Sequence, residues 1–348
     1  MVERAKRRVN GGGNYWSAPK TDVQFIPSGC RLLDLALGGG WAENRIANIV
    51  GDKSTGKTLL AIEACANFAM KYKKSKGNIR YRECEAAFSN DYAQAIGMPI
   101  ERVDFGTDPI DTVEDLFEDL TKIIEGARGP ELCIVDSLDA LSDRGEMSRA
   151  IDAPTFGQGK PKMMSQLFRR LVRGMARKQV TLIIISQVRT AIGVTFGDKT
   201  SRSGGRALDF YASQVPYLSY LGKVSQTIQN QERATAIKIR TRVKKNKVGP
   251  ALRDAEFKIR FGFGIDDHEA SINFMDSCGR LEDDLGITKH AKQKLRPYYD
   301  GVDAMDNAAY QAELARVHAA VTRVWYEIEK QSLPTRVKYN HAAAESAR

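Results

Sequence analysis

Through the first two thirds of the chain, short apolar runs of strand length alternate with stretches whose apolar residues recur at helical spacing. Residues 46–50, 79–85, 102–105, 132–136 and 180–186 read as strands, and 59–70, 91–96, 112–124 and 163–178 as the helices between them. Such alternation calls for a parallel sheet covered on both faces, with ligands at the carboxyl ends of its strands. Before it, residues 26–40 hold a compact apolar pattern (Leu32, Leu33, Leu35, Leu37) closed by three glycines that end any helix. From Ala207 the pattern changes to strands joined by turns, 215–221, 236–244 and 255–261, which predicts that the sheet continues with antiparallel strands.

The expected fold is therefore α/β, a mostly parallel sheet with an antiparallel extension followed by a small helical C-terminal domain. Residues 1–25, basic and then glycine-rich, read either as an arm that orders on a partner, an oligomerisation element, or as a frayed terminus. The core spans 26–265. The polar stretch DDHEAS reads as a linker into a helical domain of residues 266–332, whose long last helix over 306–331 carries Leu314, Val317, Val321, Val324 and Trp325 along one side. Residues 333–348 read as a tail, and no internal repeat is visible.

Composition narrows the partner more than the fold. The 348 residues are 42% hydrophobic and 28% charged, as in an ordinary globular protein, but the net charge of +10 favours a polyanionic partner. Cys30, Cys65, Cys84, Cys133 and Cys278 are widely spaced with no CxxC pair and read as small buried hydrophobes in a reducing compartment. His268, His290, His318 and His341 have no ligand spacing, which argues against a zinc site. With no apolar run of spanning length and no signal-peptide core at the N-terminus, the expectation is a cytoplasmic protein with no membrane partner.

The chemistry centres on GDKSTGKT, residues 51–58, which follows one apolar strand and opens a helix. That order is what a phosphate-binding loop needs, because backbone N–H groups and a helix N-terminus must converge on a polyphosphate. Gly51 and Gly56 let the backbone of Asp52, Lys53, Ser54 and Thr55 close around the phosphates. Lys57 would reach the terminal phosphates and the Thr58 hydroxyl would take a place on Mg²⁺. Asp136 ends the strand 132–136, where it either shares that Mg²⁺ or caps the next turn. Glu85, at the end of the strand before, is either a base for a water attacking a γ-phosphate or a surface acid. Arg242, Lys244, Lys245, Lys247 and nearby Arg253 gather around a turn, as a solvated face or a source of cations for phosphate or nucleic acid. Gly193, Gly197, Gly204 and Gly205 would make the loop after the strand 180–186 flexible, with charge from Arg189, Lys199, Arg202 and Arg206 and apolar side chains at Ile192 and Phe196; it reads either as a disordered surface loop or as one that orders on DNA with those two residues wedged between bases.

These residues together resemble the RecA family of DNA strand-exchange recombinases over most of residues 27–265. The likeness is most specific in IIISQVRTAIGVTFGDKTSRSGGRALDFYAS, residues 183–213, and continues in KMMSQ, 162–166, and KKNK, 244–247. The resemblance implies a P-loop ATPase core using ATP and Mg²⁺. Lys57, Glu85 and Gln187 would be its catalytic group, with Glu85 the catalytic glutamate and Gln187 the sensor of the γ-phosphate; Tyr92 would pack on adenine. Loops at 144–160 and 189–206 would grip single-stranded DNA, with Lys162, Arg189, Ile192, Gly193, Phe196, Lys199, Arg202, Gly204, Gly205 and Arg206 as DNA-binding residues. Lys245 and Lys247 would reach the ATP of the next subunit, with Phe210 at the same interface.

The implied activity is that of an ATP-dependent recombinase forming helical filaments on single-stranded DNA and pairing it with a homologous duplex. Its implied partners are other copies of itself together with single-strand-binding and loader proteins. Against it stand a mediator that binds DNA without strand exchange and a hexameric helicase. Asp209 occupies a position where the bacterial recombinases carry lysine, loop one shares little residue identity with the family, and an acidic C-terminal tail is absent.

Overall fold

The structure, a computed structural model, describes residues 23–73, 77–147, 159–190, 200–202, 205–288, 291–332 and 334. Its strands are β1 (Phe25–Ile26), β2 (Trp41–Ala42), β3 (Ile46–Gly51), β4 (Asn78–Glu83), β5 (Val103–Asp104), β6 (Glu131–Asp136), β7 (Val180–Thr190), β8 (Thr200–Arg202), β9 (Gln214–Ile228), β10 (Gln231–Asn246), β11 (Arg253–Arg260) and β12 (Gly264–Ile265). Its helices are α1 (Arg31–Leu37), α2 (Lys57–Lys71), α3 (Asn90–Ala95), α4 (Val113–Gly126), α5 (Arg144–Met147), α6 (Gly159–Lys178), α7 (Gly205–Tyr211), α8 (Asp267–Ser277), α9 (Leu281–Leu285), α10 (Ala291–Asp303) and α11 (Asn307–Ser332).

The main sheet runs β12-β11-β10-β9-β3-β7-β6-β4-β5. Every pairing from β5 to β9 is parallel, and β9, β10, β11 and β12 pair antiparallel, as the change of pattern after Ala207 predicts. Because side chains alternate along a strand, the sheet divides the interior into two cores. Ala47, Ile49, Tyr81, Ile134 and Ile183 face one side with Leu60 and Phe68 of α2, while Val50, Cys133, Val135 and Ile184 face the other with Leu120 of α4 and Phe168 of α6. Leu32, Leu33, Leu35 and Leu37 put α1 into the first of these cores, and Gly38, with φ of 87°, ends the helix in the left-handed conformation that glycine tolerates.

Two expectations change. The antiparallel strands are longer than their apolar segments: β9 and β10 stay paired out to Ile228 and Gln231. That outer ribbon is exposed on most positions, so no apolar alternation marks it in the sequence. The DDHEAS stretch is not a linker. Asp266 caps α8 by accepting from Glu269 N–H at 3.0 Å, and the polar residues that follow have specific partners. Asp267 accepts from Arg31 N–H at 2.6 Å and from the His318 ring at 2.6 Å, and Glu269 pairs with Lys258. Bidentate pairing of Arg253 with Glu329, at 2.5 and 2.6 Å, and bonds from the Arg31 guanidinium to Thr322 hold α11 on the same side.

Asp34 is a buried carboxyl of this region. It accepts from Ser28 N–H at 2.8 Å. Burial pushes its pKa from 3.8 to about 7, the Ser28 bonds opposing and the Asp267 charge adding to the rise. The folded chain thus holds a proton that the unfolded chain releases, so this contribution to stability is full below about pH 4 and is lost as pH rises through about 7. The linkage amounts to at most about 4 kcal/mol. Asp34→Asn is expected to flatten the fall in stability between pH 5 and pH 8, read from urea melts; an unchanged slope would contradict the assignment.

Candidate functional site

The parallel strands bring their carboxyl ends to one level. Gly51 of β3 stands opposite Gln187 of β7, and Glu83 of β4 opposite Asp136 of β6. The loop after Gly51 turns sharply, with Ser54 at φ 56° and Gly56 at φ 85°, and releases the chain into α2 at Lys57. The φ of 85° at Gly56 is one that residues with a side chain rarely adopt, so glycine suits the turn there. Thr55 Oγ1 and Lys57 Nζ both donate to the Asp52 carbonyl, at 2.8 and 2.7 Å, so the lysine lies folded along the loop. Burial pulls the pKa of Lys57 down, opposed by the carboxylates of Asp136, Glu85, Asp52 and Asp139.

Thr58 Oγ1 donates to Asp136 Oδ2 at 2.8 Å, and the Tyr81 hydroxyl donates to the same oxygen at 2.7 Å. Burial raises the Asp136 pKa against these two bonds, with Glu85 and Glu83 adding to the rise. A hydroxyl and a carboxylate this close form a hard-oxygen pair that suits Mg²⁺, beside a loop that suits polyphosphate. The capping alternative for Asp136 finds no bond of that kind among the described residues.

Glu85 lies two residues beyond the end of β4 rather than at the end of the strand. The reason is Glu83, whose carboxylate accepts from the N–H groups of Glu85, Ala86 and Ala87 at 2.9, 2.8 and 3.1 Å and closes the chain into a turn. The turn brings Glu85 Oε1 to the Ser137 hydroxyl, with which it hydrogen bonds, and to Gln187 Nε2 at 3.3 Å. Gln187 N–H in turn donates to Asp139 Oδ2 at 2.6 Å. Tyr81, Glu83, Ser137 and Asp139 were absent from the sequence-derived site. Their only signal was position, at or within three residues of a strand that ends at the loop.

Tyr92 sits on α3 with its ring partly exposed, and burial followed by the Glu63 charge raises its phenol pKa. Lys245 and Lys247 gather with Phe210: their ammonium groups donate to the Phe210 carbonyl at 3.1 and 2.9 Å, and Lys247 lies 5.9 Å from the Phe210 ring centroid. That ring is 69% exposed. Beyond Gln187, β7 continues and pairs antiparallel with β8, Arg189 opposite Ser201 and Val188 opposite Arg202. The backbone places Lys162 in the first turn of α6 and Gly205 and Arg206 at the start of α7. Ile192, Gly193, Phe196, Lys199 and Gly204 lie outside the described residues, as do 148–158 of loop one.

A groove of about 960 Å³ runs from Lys53 and Thr55 of the phosphate loop across β9 and β10, where Tyr217, Arg240, Arg242 and Lys244 line it. Lys244 Nζ stands 3.9 Å from the centroid of the Tyr217 ring, and Arg242 is paired with Asp254 at 2.7 Å. Among the described residues no helix is long and apolar enough to cross a membrane.

A family model described as the RecA N-terminal domain matches residues 13–266. Protein RecA of Thermus thermophilus is 35% identical over 265 residues, covering 76% of this chain and 75% of the relative. Protein RecA of Prochlorococcus marinus is 34% identical over 248 residues, covering 71% and 63%.

Proposed function

We propose, on the premise that this chain belongs to the RecA family, that it is a DNA-dependent ATPase which assembles as helical filaments on single-stranded DNA and catalyses homologous pairing and strand exchange. The observation that carries the reading is the chain of contacts linking Thr58 to Asp136 and Ser137 to Glu85 and Gln187, at the head of the hairpin formed by β7 and β8. One bonded network thus joins the place where phosphates fit to the base of the segment read as the DNA-binding loop.

In this reading the backbone of residues 51–56 and the N-terminus of α2 hold the ATP phosphates. Lys57 leaves the Asp52 carbonyl to meet the terminal phosphates. Thr58 and Asp136 would hold Mg²⁺, which supplies charge neutralisation on the phosphate oxygens. Glu85 orients the attacking water and accepts its proton. Gln187 senses the γ-phosphate, and its backbone leads directly into β7 and β8, so its position sets that of residues 189–206 on DNA. Tyr92 packs on the adenine. Phe210, Lys245 and Lys247 present an exposed aromatic ring and two cations to the ATP side of a neighbouring copy.

Residues 1–25 then act as an assembly arm, 26–265 as the ATPase core and 266–332 as a C-terminal domain, with 333–348 a tail. Binding through backbone contacts leaves the reading of sequence to base pairing. Single-strand-binding and loader proteins are expected helpers. The test is ATP turnover by the pure protein with and without single-stranded DNA. Stimulation of at least about tenfold is expected, in line with an active site completed by an ordered DNA loop; a rate indifferent to DNA would contradict the coupling.

A further inference from the structure

Glu63 occupies a position that the mechanism above does not use. It lies on α2, two turns beyond the phosphate loop, and its carboxyl is clasped by backbone from two distant segments. A Cβ on Gly29 would stand 1.9 Å from Glu63 Oε2, and one on Gly264 would stand 2.5 Å from Oε1. Both contacts are possible only because those residues lack a side chain. Oε1 accepts from Ile265 N–H at 2.8 Å.

The Gly264 side of the clasp is the turn between β11 and β12, which carries the half-exposed rings of Phe261 and Phe263. A Cβ on Gly264 would also meet Ile96 Cγ2 at 3.5 Å, at the C-terminal end of α3, the helix that carries Tyr92. Glu63 therefore joins helix α2 to β12, α3 meets the β12 side of the clasp through Ile96, and the Glu63 charge is felt at Tyr92 of α3.

We propose that Glu63 is a positioning residue of the nucleotide site, holding the β11–β12 turn and α3 at a fixed distance from the helix that begins with the phosphate loop, and so fixing the walls between which the base of the nucleotide lies. The inference rests on the ATPase reading and on Tyr92 meeting the base. It separates two parts of one ligand: the phosphates are gripped by residues 51–58, and the base by elements that Glu63 helps to register against them.

The electrostatics give the device a pH dependence. Burial pushes the Glu63 pKa from 4.5 to about 7, with the Ile265 N–H opposing and Asp267 adding to the rise. The ionisable groups facing it are Asp267 from α8 and Tyr92 from α3, with Asp34 and Cys30 behind Asp267 on the segment that ends at α1. None of these is a cation, and Glu63 forms no ion pair among the described residues. As pH rises through about 7 the carboxyl becomes an anion in a site built around a neutral group. The clasp then loosens, and the base walls move before the phosphate loop does.

The experiment measures the affinity of the full-length protein for ADP and for inorganic tripolyphosphate between pH 6 and pH 8.5, in wild type, Glu63→Gln and Glu63→Ala. Tripolyphosphate reads the phosphate loop alone. Wild type is expected to lose about fivefold in ADP affinity above pH 7 while tripolyphosphate affinity shows no matching step. Glu63→Gln, neutral and of the same size, is expected to keep the low-pH affinity throughout. Glu63→Ala is expected to weaken ADP about tenfold at all pH values and leave tripolyphosphate unchanged. A wild-type step that persists in Glu63→Gln overturns the proposal, as does equal weakening of both ligands in Glu63→Ala. If Glu63→Ala does not fold, the wild type and Glu63→Gln profiles decide alone. Failure of wild type to bind either ligand would instead count against the ATPase reading itself.

Discussion

Replacing Lys57 with alanine is expected to abolish nucleotide-dependent assembly on single-stranded DNA and to lower ATP turnover by about 10³-fold. The lysine is held in place at 2.7 Å from the Asp52 carbonyl and is surrounded by the charges of Asp136, Glu85, Asp52 and Asp139. Burial already lowers its pKa, so a polyanion restores the environment it lacks. The fold should survive, because the side chain hydrogen bonds to a backbone carbonyl and its removal takes a buried cation out of the loop; thermal melting checks this. ATP-dependent DNA binding and turnover at wild-type levels in a folded Lys57→Ala protein would remove residues 51–58 from the nucleotide site.

The second large effect separates binding from chemistry. Glu85→Gln keeps the shape and the contacts to Ser137 and Gln187 but cannot take a proton. Turnover is expected to fall by about 10²–10⁴-fold, the range for loss of a positioned general base. ATP affinity should change little, since the phosphate loop and the pair formed by Thr58 and Asp136 are untouched. Protein–DNA complexes formed with ATP should then outlast those of the wild type, because release follows hydrolysis. Loss of ATP affinity in step with turnover would show that Glu85 supports the site's structure rather than its chemistry.

The sequence displayed the parts of this site that one local rule determines. Residues 51–58 declare themselves because a strand, a glycine-bearing loop and a helix occur in that order, and Asp136 because it closes a wholly apolar strand. The alternation of strands and helices placed Glu85 toward the carboxyl end of the sheet, and the resemblance to the RecA family added Gln187 after the strand 180–186. Partners that depend on register were not visible. Ser137 and Asp139 reach Glu85 and Gln187 only because β6 lies between β4 and β7. Tyr81 falls within the strand expected over 79–85, and nothing in the sequence marks its hydroxyl as a partner of Asp136. The helix beginning at Asp267 was hidden for a related reason, since its polar residues are satisfied by Arg31, His318 and Lys258, far away in sequence. Local polarity implied solvent where the fold supplies partners.

Phe210, Lys245 and Lys247 carry the assembly half of the account. The exposed ring and the two ammonium groups lie together in the single chain. Their neighbour Asp209 is also exposed.

The central claim is tested most directly by strand exchange between circular single-stranded DNA and a homologous linear duplex, with the pure protein and ATP. Joint molecules that require both ATP and homology are the predicted result. Their absence, with ATP hydrolysis still stimulated by single-stranded DNA, would contradict the claim and leave a protein that binds or moves along DNA without exchanging strands.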